Sequence, residues 1–144
     1  MGVTGLSPKL KARLVPFGEL DQSQKITPAL TLEEFFDGNS DEGSIGCNLV
    51  PHPGIEAFRK TFETLAGRSD VSGVFFPVTE FIDGLDWPFV DNVLVVTTAL
   101  PELIFDACVK VEPSEAWILD PADHVRFEGM RVPEGVHVVN LWWD

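Results

Sequence analysis

Residues 92–111, NVLVVTTALPELIFDACVKV, hold a strand and a helix back to back. Val93-Leu94-Val95-Val96 is apolar on both faces of an extended chain, as an interior strand requires. Pro101 suits a first helical position because its missing N–H has no intrahelical partner there. Leu100, Leu103, Ile104, Ala107, Cys108 and Val111 then recur on one wide apolar face. Glu112 precedes Pro113 and so avoids helical backbone, which closes the helix.

The same order is legible upstream. In Ser44–Val50 (SIGCNLV) Ile45, Cys47 and Leu49 share one face of a short strand, and Pro51-His52-Pro53-Gly54 breaks it. Ile55, Phe58, Phe62 and Leu65 follow at helical spacing up to Gly67. Val71–Ile82 is rich in Val and Phe, and Pro77 inside it predicts an edge strand, since proline cannot donate to a ladder. Asp83-Gly84-Leu85-Asp86 reads as a turn. Val136–Trp143 is the final strand. Between the second helix and that strand, residues 114–135 read as an insertion, with Ala116–Leu119 and His124–Phe127 forming a hairpin around Asp120-Pro121-Ala122-Asp123. The pattern predicts a ferredoxin-like two-layer α+β sandwich, βαββαβ with an antiparallel sheet, in which the strands at 44–50 and 92–99 are central and those at 71–82 and 136–143 are edges.

Residues 1–30 contain Pro8, Pro16 and Pro28 and show neither period beyond a short strand at Ala12–Phe17, so they read as an N-terminal arm or linker ahead of a single α+β domain at 31–144. Thr31 is an N-cap with Glu34 three residues on, the signature of a capping box opening a short helix at Leu32–Phe36.

With 144 residues and 44% hydrophobic content, the chain is long enough to bury a core without metal or disulfide support. Its net charge of −13 is uneven. Residues 1–30 carry 4 basic and 2 acidic side chains, whereas residues 31–144 carry 6 basic and 21 acidic ones. A surface of that sign repels nucleic acid and anionic lipid. No apolar run approaches the roughly 20 residues that cross a bilayer, and the first residues show neither a signal peptide nor a lipidation motif. Cys47 and Cys108 lack CxxC spacing and read as buried reduced thiols, which points to the cytoplasm.

The candidate site residues fall into two groups. Cys47, Asn48, His52 and Glu80, near the ends of the first two predicted strands, are the polar groups from which a small catalytic pocket could be built. Trp142 and Trp143 are adjacent on the final strand and must point to opposite faces. One of them is therefore exposed or covered by something else. With Trp87 and the carboxylates Asp83 and Asp86, they form the candidate interface. His124 with Asp120 and Asp123 is better read as a solvated turn than as a metal site, and no cofactor is implied.

These features predict a non-catalytic, protein-binding module with an immunity-like or regulatory role. Its expected partner is a basic protein or a second copy paired along the final edge strand. In size and charge alone the chain resembles the immunity proteins that neutralise bacterial toxins, and no residue roles follow from that resemblance. The alternative is a small enzyme or ligand-binding sandwich with its pocket near Cys47 and His52.

Overall fold

The valine run of residues 93–96 lies in the middle of a six-stranded sheet, in a computed structural model that describes residues 6–21, 23–82 and 87–144. The strands are β1 (Thr27–Thr31), β2 (Val71–Pro77), β3 (Asn92–Thr97), β4 (Glu115–Ile118), β5 (Phe127–Glu128) and β6 (His137–Trp142). They lie in the order β4-β6-β3-β2-β1-β5. All neighbours are antiparallel except β1 and β5. The helices are α1 (Pro8–Leu14), α2 (Leu32–Phe36), α3 (Ile55–Ala66) and α4 (Pro101–Ala107), so the architecture is mixed α+β.

Alternation divides the strand residues between two faces. Val93, Val95, Val139 and Leu141 join Leu30 and Phe76 on the side of the helices, where Leu10, Phe35, Phe58, Phe62 and Ile104 complete one cluster. Leu94, Val96 and Val138 point the other way into a smaller cluster under Phe127, Met130, Val132 and Val136. The both-face reading of residues 93–96 therefore holds: all four are fully buried. Among the described residues, no helix is long and apolar enough to cross a membrane.

The sheet has six strands where a ferredoxin-like sandwich has four, and the first predicted strand is absent. Ser44 ends a 3-10 turn at Glu42–Ser44, and Ile45 makes a single bridge to Val90. Gly46 then adopts φ +65°, where a Cβ would lie 2.5 Å from Phe58 Cζ. The apparent alternation of Ile45, Cys47 and Leu49 is thus broken by a glycine whose conformation and lack of side chain are both required.

The stretch read as an arm instead supplies α1 and β1. Leu10, Leu14 and Leu20 are buried in the main cluster, and β1 pairs with β2. Thr31 and Glu34 form the expected capping box: the Glu34 N–H donates to Thr31 Oγ1 at 3.1 Å, and the Thr31 N–H donates to Glu34 Oε1 at 2.9 Å.

Neither predicted edge strand is an edge, since β2 lies between β1 and β3, and β6 between β3 and β4. Pro77 is tolerated because the Val78 N–H already serves β1 through Pro28 O. By alternation the nitrogen of Pro77 faces β3, whose pairing with β2 ends at Phe75. Both true edges, β4 and β5, come from the 114–135 segment, which forms no hairpin. Residues 121–126 are a 3-10 turn carrying the chain from one end of the sheet to the other. A flat sheet would put those edges about 24 Å apart, while the turn advances only about 2 Å per residue. The sheet must curl, and Trp117 of β4 and Phe127 of β5 accordingly line one cleft.

Candidate functional site: an open sheet edge and a concave polar face

The structure does not assemble a Cys–His pair. His52 Nδ1 accepts the Gly54 N–H at 2.8 Å, so Nε2 carries the proton and donates to Ile45 O at 2.8 Å. Both ring nitrogens are committed to backbone, and the ring braces the loop against Phe58. Cys47 is exposed in a turn rather than packed in a strand. Together with the exposed Glu80 it lines a cleft of about 480 Å³ to which His52 does not contribute. Asn48 lies beside Cys47, facing a second hollow near Trp142.

Cys108 is fully buried at the end of α4. Burial pushes its thiol up to about 12 from an ordinary 9.0, opposed weakly by the Arg68 guanidinium. The two thiols should therefore separate cleanly: iodoacetamide at neutral pH is expected to alkylate Cys47 alone in the folded protein and both residues in denaturant, as read by peptide mass spectrometry. The same shift fixes a sign. Below the ordinary value both folded and unfolded chains hold the proton, and as pH rises from 9.0 towards 12 only the unfolded chain releases it. Stability contributed by the neutral thiol is consequently lost over that alkaline window.

Of the predicted interface residues, Trp87 and Trp143 are core side chains, 3% and 4% exposed. The Trp87 Nε1–H donates to Phe35 O at 2.9 Å and the Trp143 Nε1–H to Val111 O at 2.7 Å. Asp83 and Asp86 lie outside the described residues. Trp142 is half-buried on the opposite face, covered in part by Trp117 in an edge contact with centroids 6.4 Å apart. Trp117, 40% exposed, and Ile118, 47% exposed, stand on β4.

Among the described residues that strand is an open edge. Leu119 N–H donates to Val138 O, and the register Trp117↔Asn140 continues the pairing. Alternation then turns the N–H and C=O groups of Trp117 towards β6 and those of Ala116 and Ile118 outwards. Exposed Glu112, Glu115, Asp120 and Asp144 surround this apolar strip.

Inside the curl lies a cleft of about 390 Å³ floored by the sheet itself. Asn140 is 3% exposed between Val139 and Leu141, and its Oδ1 accepts from Asn92 Nδ2 at 3.1 Å. Its own Nδ2 donates to no described residue. Asp91 accepts the Thr79 hydroxyl at 2.8 Å nearby, and Arg126 lies over the Phe127 ring at 5.7 Å. His124, in the 3-10 turn above, has a buried Nε2 without a partner among the described residues. Asp120 caps that turn through the Ala122 N–H. Sequence reasoning missed this face, although an amide inside the apolar run Val138-Val139-Asn140-Leu141 was its visible signal.

A family model described as "Uncharacterized protein YfbO family" matches residues 7–141. The chain is similar to "Uncharacterized protein YfbO" of Escherichia coli (strain K12), with 36% identity over 128 residues, covering 88% of this chain and 90% of the relative. No solved structure matches.

Proposed function

The chain belongs to the YfbO family, and from that premise and the geometry above we propose that it is a non-catalytic binding protein that docks a basic protein segment along β4. The observation that carries this reading is the open edge itself. Native sheets blunt their edges with lysine, proline, bulges or a covering element, whereas β4 presents Trp117 and Ile118 together with the outward backbone of Ala116 and Ile118. An extended partner strand would satisfy those groups by strand addition. The four surrounding carboxylates and the net charge of −13 favour a cationic strand and disfavour a second copy of this chain. His52, with both nitrogens tied to backbone, gives the catalytic alternative no base.

The test uses a peptide of alternating lysine and valine as the probe, with light scattering on the protein alone. A monomer that binds the peptide, and whose Ile118→Lys variant stays folded but binds about tenfold or more weakly, supports the reading; tenfold corresponds to about 1.4 kcal/mol. A wild-type dimer that Ile118→Lys converts to monomer would instead assign the edge to self-association.

A further inference from the structure

We propose that the concave face of the sheet is a separate binding site for a small, neutral, hydroxyl-rich ligand of monosaccharide size, held by the side-chain amides of Asn140 and Asn92 and by the ring of Trp117. The starting point is an amide that packing does not explain. Asn140 is 3% exposed in an interior strand, yet only its Oδ1 is used, by Asn92. Among the described residues only His124 Nε2 is both buried and unpaired, so the Asn140 Nδ2 is not sealed in the core but opens onto the cleft. Valine or leucine would have filled the position as they fill its neighbours.

The unfilled valences define the ligand. With one Asn92 Nδ2 proton donated to Asn140 Oδ1, the pair still offers the cleft amide N–H donors, those of Asn140 Nδ2 foremost, and the acceptor Asn92 Oδ1. A hydroxyl both donates and accepts and so answers both at once. Trp117, opposite Asn140 in the register and lining the same cleft, supplies an aromatic surface for the C–H face of a sugar ring. Charge narrows the choice further. Asp21, Asp91 and Asp123 against Arg126 leave the described lining with a net negative charge, which opposes phosphorylated or carboxylated ligands. The volume of about 390 Å³ falls within the usual size of small-molecule sites.

This site goes beyond strand docking, and the two are tested through different residues: Ile118 for the outer edge, Asn140 and Asn92 for the cleft. The experiment is a titration of the isotope-labelled full chain with D-glucose, D-galactose, D-mannose, N-acetyl-D-glucosamine and D-ribose, with adenosine and uridine as a second arm. The expected result is saturable movement of the Asn140 and Asn92 side-chain amide signals and the Trp117 indole signal with at least one sugar. Asn140→Leu should weaken that binding roughly tenfold or more while the circular dichroism stays unchanged. Should Asn140→Leu fail to fold, Asn92→Ala, at a half-buried position, is expected to weaken the same binding. Absence of any response to all five sugars in the folded wild type would overturn the proposal, as would a response to the nucleosides alone.

Discussion

Val95→Asp is expected to yield no cooperatively folded protein. Val95 is fully buried in β3, directly opposite Val74 on β2 and Val139 on β6, and its side chain enters the main apolar cluster. A carboxylate there has no cation or donor to meet, so it must either ionise uncompensated or take up a proton at the cost of its hydration. The penalty belongs to the exceptional class above about 4 kcal/mol, comparable with the whole stability of many domains. Val95→Thr isolates the polar component: it keeps the shape and buries one hydroxyl, so it should fold with a loss of about 1–3 kcal/mol. Urea unfolding followed by circular dichroism checks both, and a soluble Val95→Asp protein with a cooperative transition would contradict the placement of β3.

Arg13→Ala is expected to give the second largest loss, although Arg13 lies in a stretch whose sequence reads as a linker. Its Nε donates to Glu34 at 3.3 Å and one Nη to Ala29 O at 2.8 Å, while the other Nη meets Glu128. One side chain thereby ties α1 to the capping box of α2, to β1 and to the edge strand β5. The pairing is close enough that Gly129, at φ +92°, has room for no side chain: a Cβ there would lie 2.8 Å from the Arg13 guanidinium. Among the described residues, removing Arg13 leaves the nearly buried Glu34 carboxylate with only the Thr31 N–H. Breaking one partner of such a pair costs about 3 kcal/mol, a fall of roughly 10 °C in Tm for a chain of this length. Lys11→Ala, two residues away on the same helix and exposed, should change stability by less than about 0.5 kcal/mol. Equal, small effects of the two substitutions in a thermal melt would mean that α1 is not locked onto the core.

What the sequence revealed and what it hid follow from the range of the forces involved. Residues 55–67 and 101–108 were readable as helices, and 92–97 and 137–142 as strands, because their patterns arise from local spacing. The capping box at Thr31 and Glu34 was readable for the same reason. The strand Thr27–Thr31 was hidden by Pro28, whose lost donor is harmless where it sits: its nitrogen and carbonyl both face β2, where the carbonyl accepts from the Val78 N–H and the Val78 carbonyl accepts from the Thr27 hydroxyl at 2.6 Å instead. Ser44–Val50 misled because three alternating residues are too few to outweigh one glycine in a left-handed conformation.

The candidate site was hidden more deeply. That Trp142 and Trp143 face opposite ways was legible from the pleat, but which of them meets solvent depended on β4 pairing with β6, a contact between distant parts of the chain. The insertion Ser114–Gly135 likewise reads as a surface excursion until its two ends are seen to form both edges of one curled sheet.

The central claim is that β4 is an unoccupied edge built to receive a basic strand. Its most direct measurement is amide hydrogen exchange at Ala116, Trp117 and Ile118, with and without the alternating lysine–valine peptide. The account predicts fast exchange at Ala116 and Ile118 and slow exchange at Trp117 in the free protein, with the two fast amides becoming protected when the peptide is added. Ala116 and Ile118 amides already as slow as Trp117 in the free monomer, or left unprotected at saturating peptide, would contradict it.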